Sequence, residues 1–173
     1  MTEPVARQGR REEWLFLPDP RWQPAEDGPP PLWAVVGGWR LDGAGRPGLF
    51  QPNPEYRPAD EAVPTDPIDA VLRLVAGGEA APEAAVAALC AAFVEVAYDE
   101  VGSPIVALAP DGVPCVLVVT AAAHRAWVAA AAWRQLTAAE LVELVPAGAD
   151  ILVNPGGPAA MRLLTTNFTE SLS

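Results

Sequence analysis

The chain has 173 residues, 51% of them hydrophobic and only 19% charged, which supplies a real core and excludes global disorder. Its 22 acidic and 11 basic residues leave a net charge of −11, a field that repels phosphate backbones and so excludes nucleic acid as the expected partner. No apolar run reaches the roughly 18 residues of a membrane span. The opening MTEPVARQGRREEW also lacks the apolar stretch that a secretory or twin-arginine signal needs, so a cytoplasmic location is expected.

Residues 1–30 read as a Pro-rich, charged arm with Trp14-Leu15-Phe16-Leu17 and Trp22 as apolar islands. Pro18, Pro20, Pro24, Pro29 and Pro30 keep it out of long helices. Two uses fit: the arm lies over the body through its aromatics, or it docks on another protein. From Trp33 to Leu41 the residues alternate. Trp33, Val35, Gly37, Trp39 and Leu41 share one face, which predicts a strand. Asp42-Gly43-Ala44-Gly45 supplies a turn, and Gly48 to Gln51 returns, giving a hairpin with an aromatic-rich face. Gly37 and Gly38 permit close backbone approach there. Trp33, Trp39 and Phe50 serve either core packing or a protein interface.

Gln51 to Thr65 is a proline-rich connection anchored by Tyr56. Asp66 as N-cap, Pro67 in the first position and Asp69 in the first turn start a helix. Its stripe is Ile68, Val71, Leu72 and Val75, and it ends at Gly77-Gly78. Pro82 starts a second helix with Val86, Leu89 and Phe93 inward. Val94 to Tyr98 alternates as a strand, and Ile105 to Leu108 returns. Val113 to Val119 is apolar on both faces, as in a central strand covered on each side. Thr120 is expected to cap a short helix through His124 and Trp127. Ala129 to Trp133 reads as a connector closing in a strand-like segment, and Thr137-Ala138-Ala139-Glu140 as a capping box. Ile151 to Val153 forms the last strand beside Val113 to Val119, and Pro158 opens a final helix carrying Met161, Leu164, Phe168 and Leu172. These elements predict an α/β (α+β) fold, a mixed sheet flanked by helices and preceded by the hairpin. The organisation is an arm over residues 1–30, a hairpin-and-helix module over 31–78 and an α/β domain over 79–173, the last two forming one compact unit.

No nucleophile stands beside a visible base, so no catalytic residue is assigned. His124, the single histidine, reads as a surface or partly buried polar group, and Asp99, Glu100 and Asp111 as solvated turn residues. Cys90 and Cys115 read as reduced, buried thiols. Two cysteines and one histidine cannot close a zinc site, and neither a metal nor a cofactor is expected. The one candidate ligand or partner turn is Asn154-Pro155-Gly156-Gly157, followed by Pro158. A glycine turn opening a helix presents free N–H groups to an anion, although no phosphate-loop Lys follows. The plainer reading is a rigid turn that seats the final helix and leaves no reactive pocket, with Asn154 bonding nearby backbone.

DGVPCVLVVTAAAHRAWV, TAAELVELVPAGAD and ILVNPGGPAAMRLL together resemble the SseB-like domain, in which a strand ends in Thr or Ser before a short helix and a later strand carries an Asn-Pro-Gly turn. Here those are Val116 to Thr120 and Ile151 to Gly156. The preceding PDPRWQP, WAVVGGWRLD, GLFQPNPEYRP and PTDPIDAVLRLVAGG resemble the module that precedes it in actinobacterial type VII secretion system-associated proteins. The resemblance implies a cytoplasmic accessory protein and supplies no catalytic residues. The leading expectation is a non-enzymatic module that binds a secreted substrate, a toxin or a secretion component, as a chaperone or immunity protein would. The alternatives are a small-ligand or anion-binding regulatory domain at the Asn154 to Pro158 turn, and an enzyme using Asp111, His124 or Glu140.

Overall fold

The computed structural model describes residues 13–23 and 29–171; the first dozen residues of the expected arm lie outside them. Among the described residues the architecture is α+β. A three-stranded sheet of order β1-β2-β3 comprises β1 (Trp14–Pro18), β2 (Val35–Leu41) and β3 (Pro47–Pro52). A larger mixed sheet runs β7-β4-β6-β8-β9, with β5 also on β6. Its strands are β4 (Val94–Tyr98), β5 (Val106–Leu108), β6 (Pro114–Val119), β7 (Ala132–Leu136), β8 (Asp150–Val153) and β9 (Met161–Leu163). The helices are α1 (Pro67–Ala76), α2 (Glu83–Cys90), α3 (Ala138–Leu144) and α4 (Thr165–Ser171). No described helix is long and apolar enough to cross a membrane.

The apolar run of β6 is the centre of the larger sheet. Every residue from Cys115 to Val119 is buried. On one flank β6 pairs in parallel with β8, setting Val116 against Ile151 and Val118 against Val153. On the other it pairs antiparallel with β5 through its first half and with β4 through its second. Val96, Val116, Val118, Ile151 and Val153 join one cluster with Ile68 and Leu72 of α1, Val86 and Leu89 of α2, Leu141 of α3 and Phe168 of α4. The helices therefore cover that face. Val36, Phe50 and Tyr56 belong to the same cluster, so residues from both expected modules share one core.

Two contacts weld the small sheet on: the Phe50 amide donates to the Ala91 carbonyl at 2.9 Å, and the Phe93 amide to the Phe50 carbonyl at 2.9 Å. The hairpin packs tightly at Gly37, where a Cβ would fall 2.4 Å from the Phe50 ring. Local chemistry explains the helix starts. Asp66 accepts from the Ile68 and Asp69 amides at 2.8 and 3.1 Å. Thr137 and Glu140 complete a reciprocal capping box.

Several expectations are corrected. Trp14–Pro18 pairs with β2 along its length, so this part of the arm is a strand of the small sheet. Leu32–Ala34, with Trp33, forms a 3-10 turn before the strand begins. Phe93 lies beyond α2, and the Ala132–Leu136 segment is a full edge strand on β4. Thr120 caps nothing; the 3-10 turn Ala122–Trp127 starts after Ala121 with no side-chain cap. Pro158 does not open a helix: Met161–Leu163 pairs antiparallel with β8, and the helix begins at Thr165. Cys90 is half-buried, Cys115 is buried, and both are free thiols.

Candidate functional site

The polar chemistry of the interior collects where α1 starts, β6 ends and β8 ends. Of the buried polar side chains, Thr65, Asp66, Asp69, Thr120, His124 and Asn154 form one network. It replaces the helix cap expected at Thr120.

Asn154 ends β8 with a φ of 49°, a left-handed conformation that Asn tolerates better than most residues. Its Oδ1 accepts from the Thr120 amide at 2.9 Å, which fixes the orientation of the side-chain amide. Its Nδ2 then donates to Thr120 Oγ1 at 3.0 Å. The hydroxyl's single proton is left for Asp66 Oδ2, at 2.6 Å. Thr65 Oγ1 donates to the same oxygen at 2.7 Å. With the Ile68 and Asp69 amides on Oδ1, four donors converge on Asp66, the pattern of an ionised carboxylate. Burial raises its pKa above the ordinary carboxyl value, and the Thr120 and Thr65 hydroxyls and the Asp69 amide oppose that rise.

Thr65 has spent its proton on Asp66, so it can only accept from His124, whose Nε2 lies 2.8 Å away. This bonding pattern assigns the imidazole the Nε2–H form, with a bare lone pair on Nδ1. Burial lowers the His124 pKa and Arg73 adds to that, while Asp69 and Asp66 pull it up. The net lowering favours the neutral ring. Asp69 completes the floor: its Oδ2 accepts from the Thr65 amide at 3.0 Å and from Arg73 Nε at 3.1 Å. Its Oδ1 is buried with no hydrogen-bond partner among the described residues.

Above this floor opens a cleft of about 430 Å³. Thr65, Arg73, His124 and Trp127 line it with Gly156 and Gly157, and Asp60 and Glu61 stand at its side. The Asn-Pro-Gly-Gly stretch is a type II turn, with the Gly157 amide donating to the Asn154 carbonyl at 3.0 Å and Gly156 at φ 80°. The turn therefore walls this cleft through Gly156 and Gly157. No helix follows it, so the helix-terminus argument for an anion does not apply. A wider groove of about 810 Å³ lies along the β2–β3 turn, where Arg46 pairs locally with Asp42; it has no buried polar cluster behind it.

The other named residues are dispersed. Asp111 pairs with Arg162, and Glu140 belongs to the α3 cap, so neither joins His124. Phe50 is in the core, and Trp39 is half-buried with its ring edge-on to Phe50 at 4.9 Å. Trp33 alone of the three is open, at 66% exposure, near Leu32 at 64%; on β1, Leu15 and Phe16 are 53% and 54% exposed. β1 has β2 on one flank and no strand on the other among the described residues. No group of side chains able to hold a metal ion is found among the described residues.

Sequence reasoning missed the convergence on Asp66. Its residues are 89 positions apart at the extremes, Thr65 and Asn154, and only the parallel pairing of β6 with β8 brings Thr120 beside Asn154. No protein-family model, curated protein or solved structure matches this chain.

Proposed function

We propose that the protein is a non-enzymatic accessory protein that captures a protein partner in the cytoplasm. The resemblance to SseB-like and type VII secretion system-associated proteins suggests the setting: a secreted substrate, toxin or secretion component held as a chaperone or immunity protein would hold it. The observation that carries the reading is the flank of β1 that no strand covers among the described residues, with Leu15 and Phe16 exposed on that strand. An open strand edge offers unpaired backbone groups to an extended segment of another chain, and exposed apolar side chains select what docks. The net charge of −11 favours a basic segment and makes capture sensitive to salt.

The test is co-purification from the native host at low ionic strength with wild-type protein and a Phe16→Lys variant, a charge placed on the open edge. Wild type should retain a stoichiometric partner that is lost from the variant and weakened by salt. Absence of any stoichiometric partner, or equal recovery by both proteins, would contradict the proposal.

A further inference from the structure

The cleft over His124 has a buried polar network as its floor, and its chemistry indicates what would bind there. His124 is 3% exposed and belongs to the wall of the cleft, yet its Nδ1 has no hydrogen-bond partner among the described residues. Gly157 keeps that nitrogen clear: a Cβ there would sit 3.3 Å from Nδ1. A buried ring with one nitrogen fixed and the other bare presents an acceptor, which calls for a donor on the ligand.

The charges agree. Arg73 would draw an anion, but its Nε is committed to Asp69 and its Nη1 to the Glu61 carbonyl at 2.7 Å. Asp60 and Glu61 line the cleft and Asp66 and Asp69 lie in the network beneath it, with Arg21 on Asp60 as the second guanidinium. The balance is negative, in a protein that is acidic throughout. Trp127 supplies a largely exposed indole backed by Gly156, whose Cβ position lies 3.5 Å from Trp127 Cε3. An indole face in an acidic cleft attracts a cation.

We propose that this cleft binds an ammonium group on a short aliphatic chain, its N–H donating to His124 Nδ1 and its alkyl part lying against Trp127, with Glu61 and Asp60 supplying the field. The site takes a small primary amine or a lysine side chain. It is separate from the β1 edge and does not depend on that reading.

The test uses NMR of the full chain, because a single histidine gives one unambiguous ring signal. The probes are n-butylammonium and Nα-acetyl-lysine methylamide, with inorganic phosphate and acetate as anions of comparable size. Either ammonium probe should shift the His124 ring and the Gly156 and Gly157 amides saturably in the millimolar range. Saturation by both supports recognition of the ammonium itself, and saturation by the lysine derivative alone supports a protein-borne lysine. Trp127→Ala should weaken binding about tenfold. Glu61→Gln, an exposed change that leaves the fold intact, should weaken it by about threefold. Acidification should weaken it as well, since a protonated His124 flanked by Asp66, Asp69 and Arg73 loses its acceptor. No saturable shift with either ammonium probe, or saturation of the same signals by phosphate or acetate instead, would overturn the proposal.

Discussion

Replacing Thr120 by valine probes the joint that holds α1 to the ends of β6 and β8. Valine matches the shape of threonine and suits a strand end, so the backbone bond from residue 120 to Asn154 Oδ1 survives. What goes is the hydroxyl, which donates to Asp66 at 2.6 Å and accepts from Asn154 at 3.0 Å. A hydrogen bond to a charged group contributes about 1.5–3 kcal/mol, and stranding the buried Asn154 N–H costs about 1–3 kcal/mol more. Because the two losses share one atom they do not add fully, and about 3 kcal/mol is expected. In urea, with a slope of about 2–3 kcal/mol per M, the midpoint should fall by about 1–1.5 M. Thr120→Ser, which keeps the hydroxyl and drops one methyl, should cost about 1 kcal/mol. The hydroxyl favours the ionised form of Asp66, so the valine penalty should shrink as acid protonates that carboxyl. The network would be refuted if Thr120→Val fell within about 0.5 kcal/mol of wild type, or if serine were as damaging as valine, which would make the effect one of packing.

His124 has a lowered pKa, so the folded state binds its proton less readily than the unfolded chain. Stability should be intact above the unfolded value of about 6.5 and fall as pH drops through the lower folded value. The difference between wild type and His124→Gln, measured by urea unfolding from pH 8 to 5, isolates this from the opposite trend of Asp66; a difference that stays flat contradicts a buried neutral imidazole. Gly156→Ala places a side chain at φ 80° and 3.1 Å from Trp127 Cβ, whereas Gly112→Ala, at φ 83°, meets open space. The left-handed penalty of about 1–2 kcal/mol applies to both, so the Gly156 variant should melt at the lower temperature; equal melting would mean that the turn does not press on Trp127. Thr137→Ala removes the acceptor for the Glu140 amide and should cost about 1 kcal/mol in thermal or urea unfolding; an unchanged midpoint would argue against the cap.

Where local chemistry decides the conformation, the sequence was legible. Asp66-Pro67 marked the start of α1, Thr137 to Glu140 the start of α3, and the two-sided apolar run the central strand. The expected adjacency of that run to Ile151–Val153 is also present, as the parallel pairing of β6 with β8. Elements whose state depends on pairing were less readable. Ala132–Leu136 and Met161–Leu163 carry little strand periodicity, and they are strands because β4 and β8 offered open flanks. Trp14–Pro18 ends in proline, which an edge strand tolerates and a central one does not. The site was hidden for a similar reason. Thr65, Thr120 and Asn154 each have a routine local use as a turn, cap or loop residue, and His124 sits in an alanine-rich stretch that looks solvent-facing. Nothing in their spacing reveals that they share one carboxylate.

The account rests on the direction of protons around Asp66, and the His124 tautomer reports it. Long-range proton–nitrogen correlation NMR at pH 7.5 should show a neutral ring protonated on Nε2, with Nδ1 bare. A ring protonated on Nδ1, or one still charged at that pH, would mean that Thr65 is not donating to Asp66 and would contradict the network from which the cleft is read.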